Sequence, residues 1–336
     1  MRWLILILVV GVLGVGAFLA LKPPSGSASA NGPLRVTATI FPVAEWLREI
    51  AGGDVDVHLL CGGVSNPHHF EPKPQDIAAV TQSRAVFAVG LGLDEWSHKL
   101  VENAGGTSIQ LFETGEWIKP RKLAVTTIDP EKKAGAKDEA KHDPHEGHDH
   151  AGHDHHHHGD EDPHFWLDPQ RAKTVVARLA VELGKISPKS AQAFTQRAEA
   201  YTKKLNELDA KLKLAAKNNP ERRKLVTFHD AYGYLFERLN MEVAAVVQVS
   251  PGVEPATRDF SVAIAKMKEI GQKTVFTEPA GNPKVAQMLA QEVGGTTALL
   301  DPLDTEFSEA GKTYIERMLY NLKTLVPQAF SAEAKP

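Results

Sequence analysis

"PKSAQAFTQRAEAYTKKLNELDAKLKLAAKNN", residues 188–219, decides how the rest of the chain is read. Ser187-Pro188 opens the stretch and Asn218-Asn219-Pro220 closes it; proline is tolerated in a helix's first turn and breaks its interior. About thirty residues rising 1.5 Å each make a rod of roughly 45 Å. That length suits a rigid spine between two lobes. It equally suits one arm of a helical hairpin packed inside a single domain.

On both sides of the rod, strand-like and helix-like stretches alternate. Before it, residues 34–40, 54–60, 85–90 and 107–111 are rich in β-branched or alternating apolar residues, separated by helical runs that end at Gly52-Gly53 and Gly105-Gly106. After it, "KLVTF" (224–228), "EVAAVV" (242–247), "KTVFT" (273–277) and "TTALL" (296–300) repeat the pattern, with helices starting near Ala231, Pro255, Pro283 and Ser308. Alternating β and α elements argue for parallel sheets covered by helices. The expected fold is therefore α/β, with two lobes, each a four-stranded parallel sheet flanked by helices, joined by a long rigid spine helix. The lobes are placed at 31–187 and 220–336, with 188–219 as the connection.

Composition is that of an ordinary globular protein: 336 residues, 42% hydrophobic and 24% charged. Residues 1–30 hold Arg2, Lys22 and no acid, so removing them lowers the formal net charge from -4 to -6. Such a balance speaks against nucleic-acid binding, which needs a basic face. Arg2, the uncharged run 3–21 and Ala28-Ser29-Ala30 are read as a secretory signal, or as an N-terminal anchor if it is not cut. Either way the remainder is exported. The single cysteine, Cys61, permits no internal disulfide and is read as a small buried apolar residue.

Fifteen histidines are the other compositional signal. His142, His145, His148, His150, His153, His155, His156, His157 and His158 crowd a stretch of Asp, Glu and Gly within residues 113–162. That stretch has almost nothing to bury and is expected to be disordered. Its histidines form an accessory loop that holds metal weakly. The loop is internal and interspersed with Asp and Gly, unlike a purification tag. Four other residues follow strands directly or by one loop: His68, His164, His229 and Asp301. Open α/β sheets bind ligands beyond the carboxyl ends of their strands, and each half supplies two of the four. Three imidazoles with one carboxylate or water make a tetrahedral zinc set. Asp162 and Asp168 flank His164 and either orient it or cap a turn and a helix. His58, within a strand, and His98, on a helix, are assigned no metal role. His68 is preferred over its neighbour His69.

The stretches "NPHHFEPKPQD" (66–76), "DPHFWLDP" (162–169), "FHDAYGYL" (228–235) and "LLDPL" (299–303) resemble the metal-binding periplasmic proteins of ABC importers, most closely the zinc-uptake branch. The resemblance runs in order from about residue 34 to 326 and includes "FTEPAGNPKVAQMLAQEVG" (276–294). It implies that His68, His164 and His229 are zinc ligands, the last replaced by a carboxylate in the manganese branch. It implies Asp301 or water as the fourth ligand, and Pro67 stands where some relatives carry a ligating glutamate. Asp304 stands where "DPLG" is more usual.

The resulting expectation is a monomeric, periplasmic, non-enzymatic protein. It captures Zn²⁺ as cargo between its lobes and hands it to an importer's membrane permease, driven by a cytoplasmic ATPase. The alternative is a zinc buffer or metallochaperone working through the His-rich loop. A zinc hydrolase shares the three-histidine set, but the chain has neither HExxH nor G-x-S-x-G. Surface adhesion is a third reading, as a side activity.

Overall fold

Val36 and Thr37 are β-branched and both buried, and they anchor the first strand, β1 (Leu34–Ala38). In the computed structural model, residues 34–123, 161–218, 223–248 and 255–326 are described. β1 is followed by α1 (Phe41–Ala51), β2 (Val55–Leu59), α2 (Pro74–Thr81), β3 (Ala85–Ala88), α3 (Trp96–Asn103) and β4 (Gln110–Glu113). Pro42 lies in the first turn of α1, and Gly52 ends the helix with φ +56. A side chain at Gly52 would be strained and would also meet the Arg197 guanidinium at 2.6 Å. The four strands form one parallel sheet in the order β2-β1-β3-β4, with Leu34 opposite Val55, Thr37 opposite Val86 and Ala85 opposite Gln110. The chain steps to one side of β1 for β2 and to the other for β3. This reversal opens a crevice at the strands' carboxyl ends.

α4 (Pro169–Ile186) and α5 (Ala191–Asn218) follow. Asp168 starts α4 by accepting the Gln170 N–H at 2.9 Å, with Pro169 in the first turn. Phe194, Ala198, Tyr201, Leu205, Leu208 and Leu212 make one buried stripe along α5. α5 folds back on α4 and also packs against α1 and against two helices of the second half. The long helix is thus both a hairpin arm and a spine.

The second half contains β5 (Arg223–Thr227), α6 (Gly233–Arg238), β6 (Met241–Val246), α7 (Thr257–Ile270), β7 (Thr274–Thr277), α8 (Pro283–Val293), β8 (Thr296–Leu299) and α9 (Tyr314–Leu325). All four expected strands are present. Their pairing departs from the expected single sheet: among the described residues they form two parallel pairs, β5-β6 and β7-β8. Gln272 bridges the two pairs. Its side-chain amide accepts the Val226 N–H at 2.8 Å and donates to the Val226 carbonyl at 2.9 Å and the Thr274 carbonyl at 2.8 Å. A side chain thereby satisfies the edge of β5 that a neighbouring strand would otherwise take. The last helix starts later than Ser308. It begins at Tyr314, where Thr313 and Glu316 form a reciprocal cap, and the intervening residues remain a loop.

Apolar burial follows the same plan. One cluster is private to the first sheet (Leu60, Val86, Leu100, Ile109) and one to the second half (Val226, Val275, Met267, Leu289). A third is shared, joining Val36, Trp46, Trp166 and Phe194 to Tyr232, Leu300 and Tyr314. The stretch expected to be disordered from 113 is ordered at both ends. Thr114–Trp117 form a 3-10 turn, Lys122 bridges to Glu161, and Asp162 is fully buried. The expected signal and the nine loop histidines lie outside the described residues. Among the described residues no helix is long and apolar enough to cross a membrane.

Candidate metal centre

His68, His164 and His229 come together, and one ring nitrogen of each lies within 4.8 Å of the others. Their ring centroids are 5.4–6.1 Å apart. All three Nε2 atoms are buried and without a hydrogen-bond partner. Three ring nitrogens without partners converging on one point normally cost folding energy; they make sense as ligands for a cation. Zinc at about 2.0–2.1 Å from each nitrogen would space tetrahedral donors by ~3.3 Å, so binding draws the rings together by no more than ~1.5 Å.

Each ring is aimed by local structure. His68 sits in the 3-10 turn Pro67–His69 beyond β2, where Asn66 Oδ1 accepts its N–H at 2.9 Å and Trp96 Nε1 donates to the Pro67 carbonyl at 3.0 Å. His69 is exposed, as preferred. Asp162 Oδ1 accepts the His164 backbone N–H at 3.0 Å and lies 2.9 Å from His164 Nδ1. Asp162 is in turn paired with Arg121 at 3.0 Å. Of the two roles foreseen for the flanking aspartates, Asp162 takes the orienting one and Asp168 the capping one, with Arg171 at 2.6 Å. His229 lies two residues beyond the end of β5, and its Nδ1–H donates to Glu278 Oε2 at 2.6 Å. The carboxylates thus hold Nδ1 as the protonated nitrogen and leave Nε2 bare for metal.

Asp301 does not join the cluster. It is fully buried against Arg317, whose Nε donates to Oδ2 at 2.6 Å and whose Nη2 donates to Oδ1 at 2.7 Å. Oδ1 also accepts the Leu303 N–H at 2.7 Å. Both oxygens are committed to the fold, which corrects the expectation of Asp301 as fourth ligand. Asp304, three residues on, stands differently. Its Oδ1 is buried with no partner, and it lines a cavity of about 160 Å³ with His229, Glu278, Asn66 and Gln248. Burial pushes its carboxyl up to about 7, and His229 pulls it back.

Two residues escaped the sequence reading. Glu278 begins the loop after β7, the same kind of position that singled out His229 and Asp301, and the rule could have found it. Asp304 was visible only as a departure from a usual glycine. Cys61 is buried and free, and burial pushes its thiol up, away from the thiolate a metal would need. His98 pairs with Glu113 at 3.0 Å, apart from the cluster.

The three rings titrate differently. Burial, then the neighbouring imidazoles, hold His68 and His164 well below the ordinary histidine value. Burial opposes protonation of His229 too, but Glu278 outweighs it and raises His229 to about 9. In the metal-free protein near neutral pH, His229 therefore carries the proton a metal must displace. Metal binding is expected to release about one proton between roughly pH 7 and 9, with affinity rising about tenfold per pH unit and levelling above that. The raised value also means that His229 stabilises the metal-free fold below its unfolded value of 6.5 and loses this as pH rises to about 9. Titration calorimetry in buffers of different ionisation heat measures the proton count. Glu278→Gln should reduce it.

The family model described as "Zinc-uptake complex component A periplasmic" matches residues 36–327. The zinc-binding protein AdcA of Streptococcus pyogenes serotype M3 is 31% identical over 300 residues, which are 88% of this chain and 56% of AdcA. The chain thus spans little more than half the length of that relative. The high-affinity zinc uptake system protein ZnuA of Bacillus subtilis is 28% identical over 304 residues, 89% of each chain. The solute-binding protein FpvC of Pseudomonas aeruginosa, solved in complex with Mn²⁺, superposes with a TM-score of 0.68 at 27% identity, over 90% of this chain and 100% of that one.

Proposed function

Because the chain belongs to the family of periplasmic zinc-uptake complex component A proteins, we propose that it captures Zn²⁺ in the crevice between its two halves and delivers it to an ABC-type importer. The observation that carries this is the trio of buried, unpartnered Nε2 atoms of His68, His164 and His229. The family is one of solute-binding transport proteins, not of enzymes.

Asp304 supplies the fourth, oxygen ligand in this reading, in place of Asp301. With Zn²⁺ and three neutral imidazoles the site would carry +2; the Asp304 carboxylate lowers it to +1, and Asp162 and Glu278 sit behind two of the rings. FpvC shows that a similar fold accommodates manganese in another chain. Here an imidazole-dominated set favours zinc, since manganese prefers more oxygen donors. The nine histidines of 142–158 act as a weak accessory store that raises zinc supply to the main site. Working outside the cytoplasm, the protein meets its permease at the membrane surface.

The delivery step is tested with the permease and its ATPase reconstituted in liposomes. Zinc-loaded protein should raise ATP hydrolysis several-fold, and the His164→Ala variant should not. Equal stimulation by both would remove the delivery role.

A further inference from the structure

We infer that Glu306 is a positioning residue whose clasp on Gly63 sets the rate at which zinc leaves the site. This rests on the reading of His68, His164, His229 and Asp304 as the zinc site and adds a determinant of release to it.

The clasp joins loops from the two halves of the chain. The Gly63 carbonyl accepts the Glu306 N–H at 2.9 Å and the Phe307 N–H at 3.1 Å. In return the Gly63 N–H donates to Glu306 Oε2 at 2.9 Å. Gly63 lies five residues before His68, and Glu306 lies two after Asp304. Three hydrogen bonds therefore hold the loop of one ligand against the loop of another.

The local sequence suits this contact. Gly63 has φ +68, a conformation that strains any residue with a side chain. At Gly62 an added Cβ would stand 3.2 Å from Glu306 Oε2, so the second glycine gives the carboxylate room to approach. Apolar packing does not reinforce the contact: Val64 is 57% exposed and Phe307 65% exposed. The clasp is held by polar bonds in contact with water and can open without breaking a core.

What opening would do follows from the loop's other anchors. Arg317 fixes the stem by holding Asp301 and the Thr305 carbonyl, and Trp166 Nε1 donates to the Pro302 carbonyl at 2.7 Å. The tip at Glu306 and Phe307 has the clasp as its tie to the first half. Between these anchors, buried Leu303 is held at φ +62, a left-handed conformation unfavourable for leucine. Asp304 follows Leu303 inside the stretch that Arg317 holds at Asp301 and at Thr305, and so keeps its place. Release of the clasp frees Gly63 and the His68 loop from this fixed stretch and separates His68 from the oxygen side of the site.

The test follows zinc release from the loaded protein, by stopped-flow mixing with excess fluorescent zinc chelator. Glu306→Ala should release zinc about tenfold faster, the effect of losing one partly exposed hydrogen bond to a charged group. Its association rate should change little. Glu306→Gln keeps an acceptor for Gly63 and should stay within about threefold of wild type. Glu309→Ala, an exposed residue of the same loop, should match wild type. Hydrogen exchange at the Gly63, Glu306 and Phe307 amides of the metal-free protein should quicken in Glu306→Ala. Tight zinc binding by the wild type with unchanged release in Glu306→Ala overturns the clasp alone. Failure of the wild type to hold zinc tightly overturns both the clasp and the zinc reading.

Discussion

Zinc affinity falls on the order of a thousandfold in His164→Ala, while the metal-free protein keeps its fold. Deleting a partner behind a metal ligand already costs 10–100-fold, and His164 contributes the donor itself. It is the best-fixed of the three rings: Asp162 holds both its backbone N–H and its Nδ1, and Arg121 holds Asp162. Substitution leaves two imidazoles and one carboxylate, so the site loses one of its three nitrogen donors and holds zinc more weakly. The fold should tolerate the change because the lost Nε2 makes no hydrogen bond, and Asp162, which loses Nδ1, keeps Arg121 and the backbone N–H of residue 164. Thermal unfolding with and without zinc separates the two effects. Wild type at a thousand times its dissociation constant gains about 4 kcal/mol from the metal. His164→Ala should gain only about 0.4 kcal/mol at the same concentration, with its metal-free midpoint within a few degrees of wild type. A variant that still bound zinc tightly would move the site elsewhere.

The second large effect distinguishes two aspartates three residues apart. Arg317→Met should destabilise the protein by about 3–5 kcal/mol, because it leaves the Asp301 carboxylate buried with no countercharge. Asp301→Asn should also cost stability, since the bidentate pair with Arg317 is fully enclosed. Neither change should affect zinc affinity by more than a fewfold in protein that remains folded. Asp304→Ala should do the reverse. Its buried Oδ1 has no partner, so removing it relieves an uncompensated group, and stability should hold or rise. Zinc affinity should fall by about 10–100-fold, the range for a supporting oxygen donor. Denaturant midpoints and calorimetric affinities for the three variants decide the matter. If Asp301→Asn weakened zinc while Asp304→Ala did not, the assignment of the fourth ligand would have to be reversed.

Much of the site was legible because chemistry and position coincided. His164 and His229 each stand just beyond the carboxyl end of a strand or its loop, in stretches that also carry the family resemblance. His68 was separable from His69 by its place after Pro67, and the turn that Asn66 fixes explains why that choice works. Asp301 misled because position alone cannot show what a carboxylate faces. Its partner, Arg317, is sixteen residues away on α9 and reads in sequence as an ordinary helix-face cation. Asp304 and Glu278 gain their meaning from cavity lining and from His229, both tertiary facts. The pairing of strands within the second half is likewise a tertiary fact. Four strand-like stretches were correctly placed, but a glutamine side chain occupies the backbone edge that pattern reasoning assigns to another strand. The spine's two readings could not be separated by sequence because the helix fills both roles.

The measurement that tests the central claim most directly is zinc K-edge X-ray absorption on protein lacking residues 142–158, loaded with one equivalent of Zn²⁺. The account predicts tight binding by this variant and a four-coordinate spectrum, with three nitrogens at about 2.0–2.1 Å bearing imidazole scattering and one oxygen at about 2.0–2.2 Å. Loss of binding with the deleted stretch, a sulfur at about 2.3 Å, or an oxygen-rich shell with fewer than three imidazoles would contradict it.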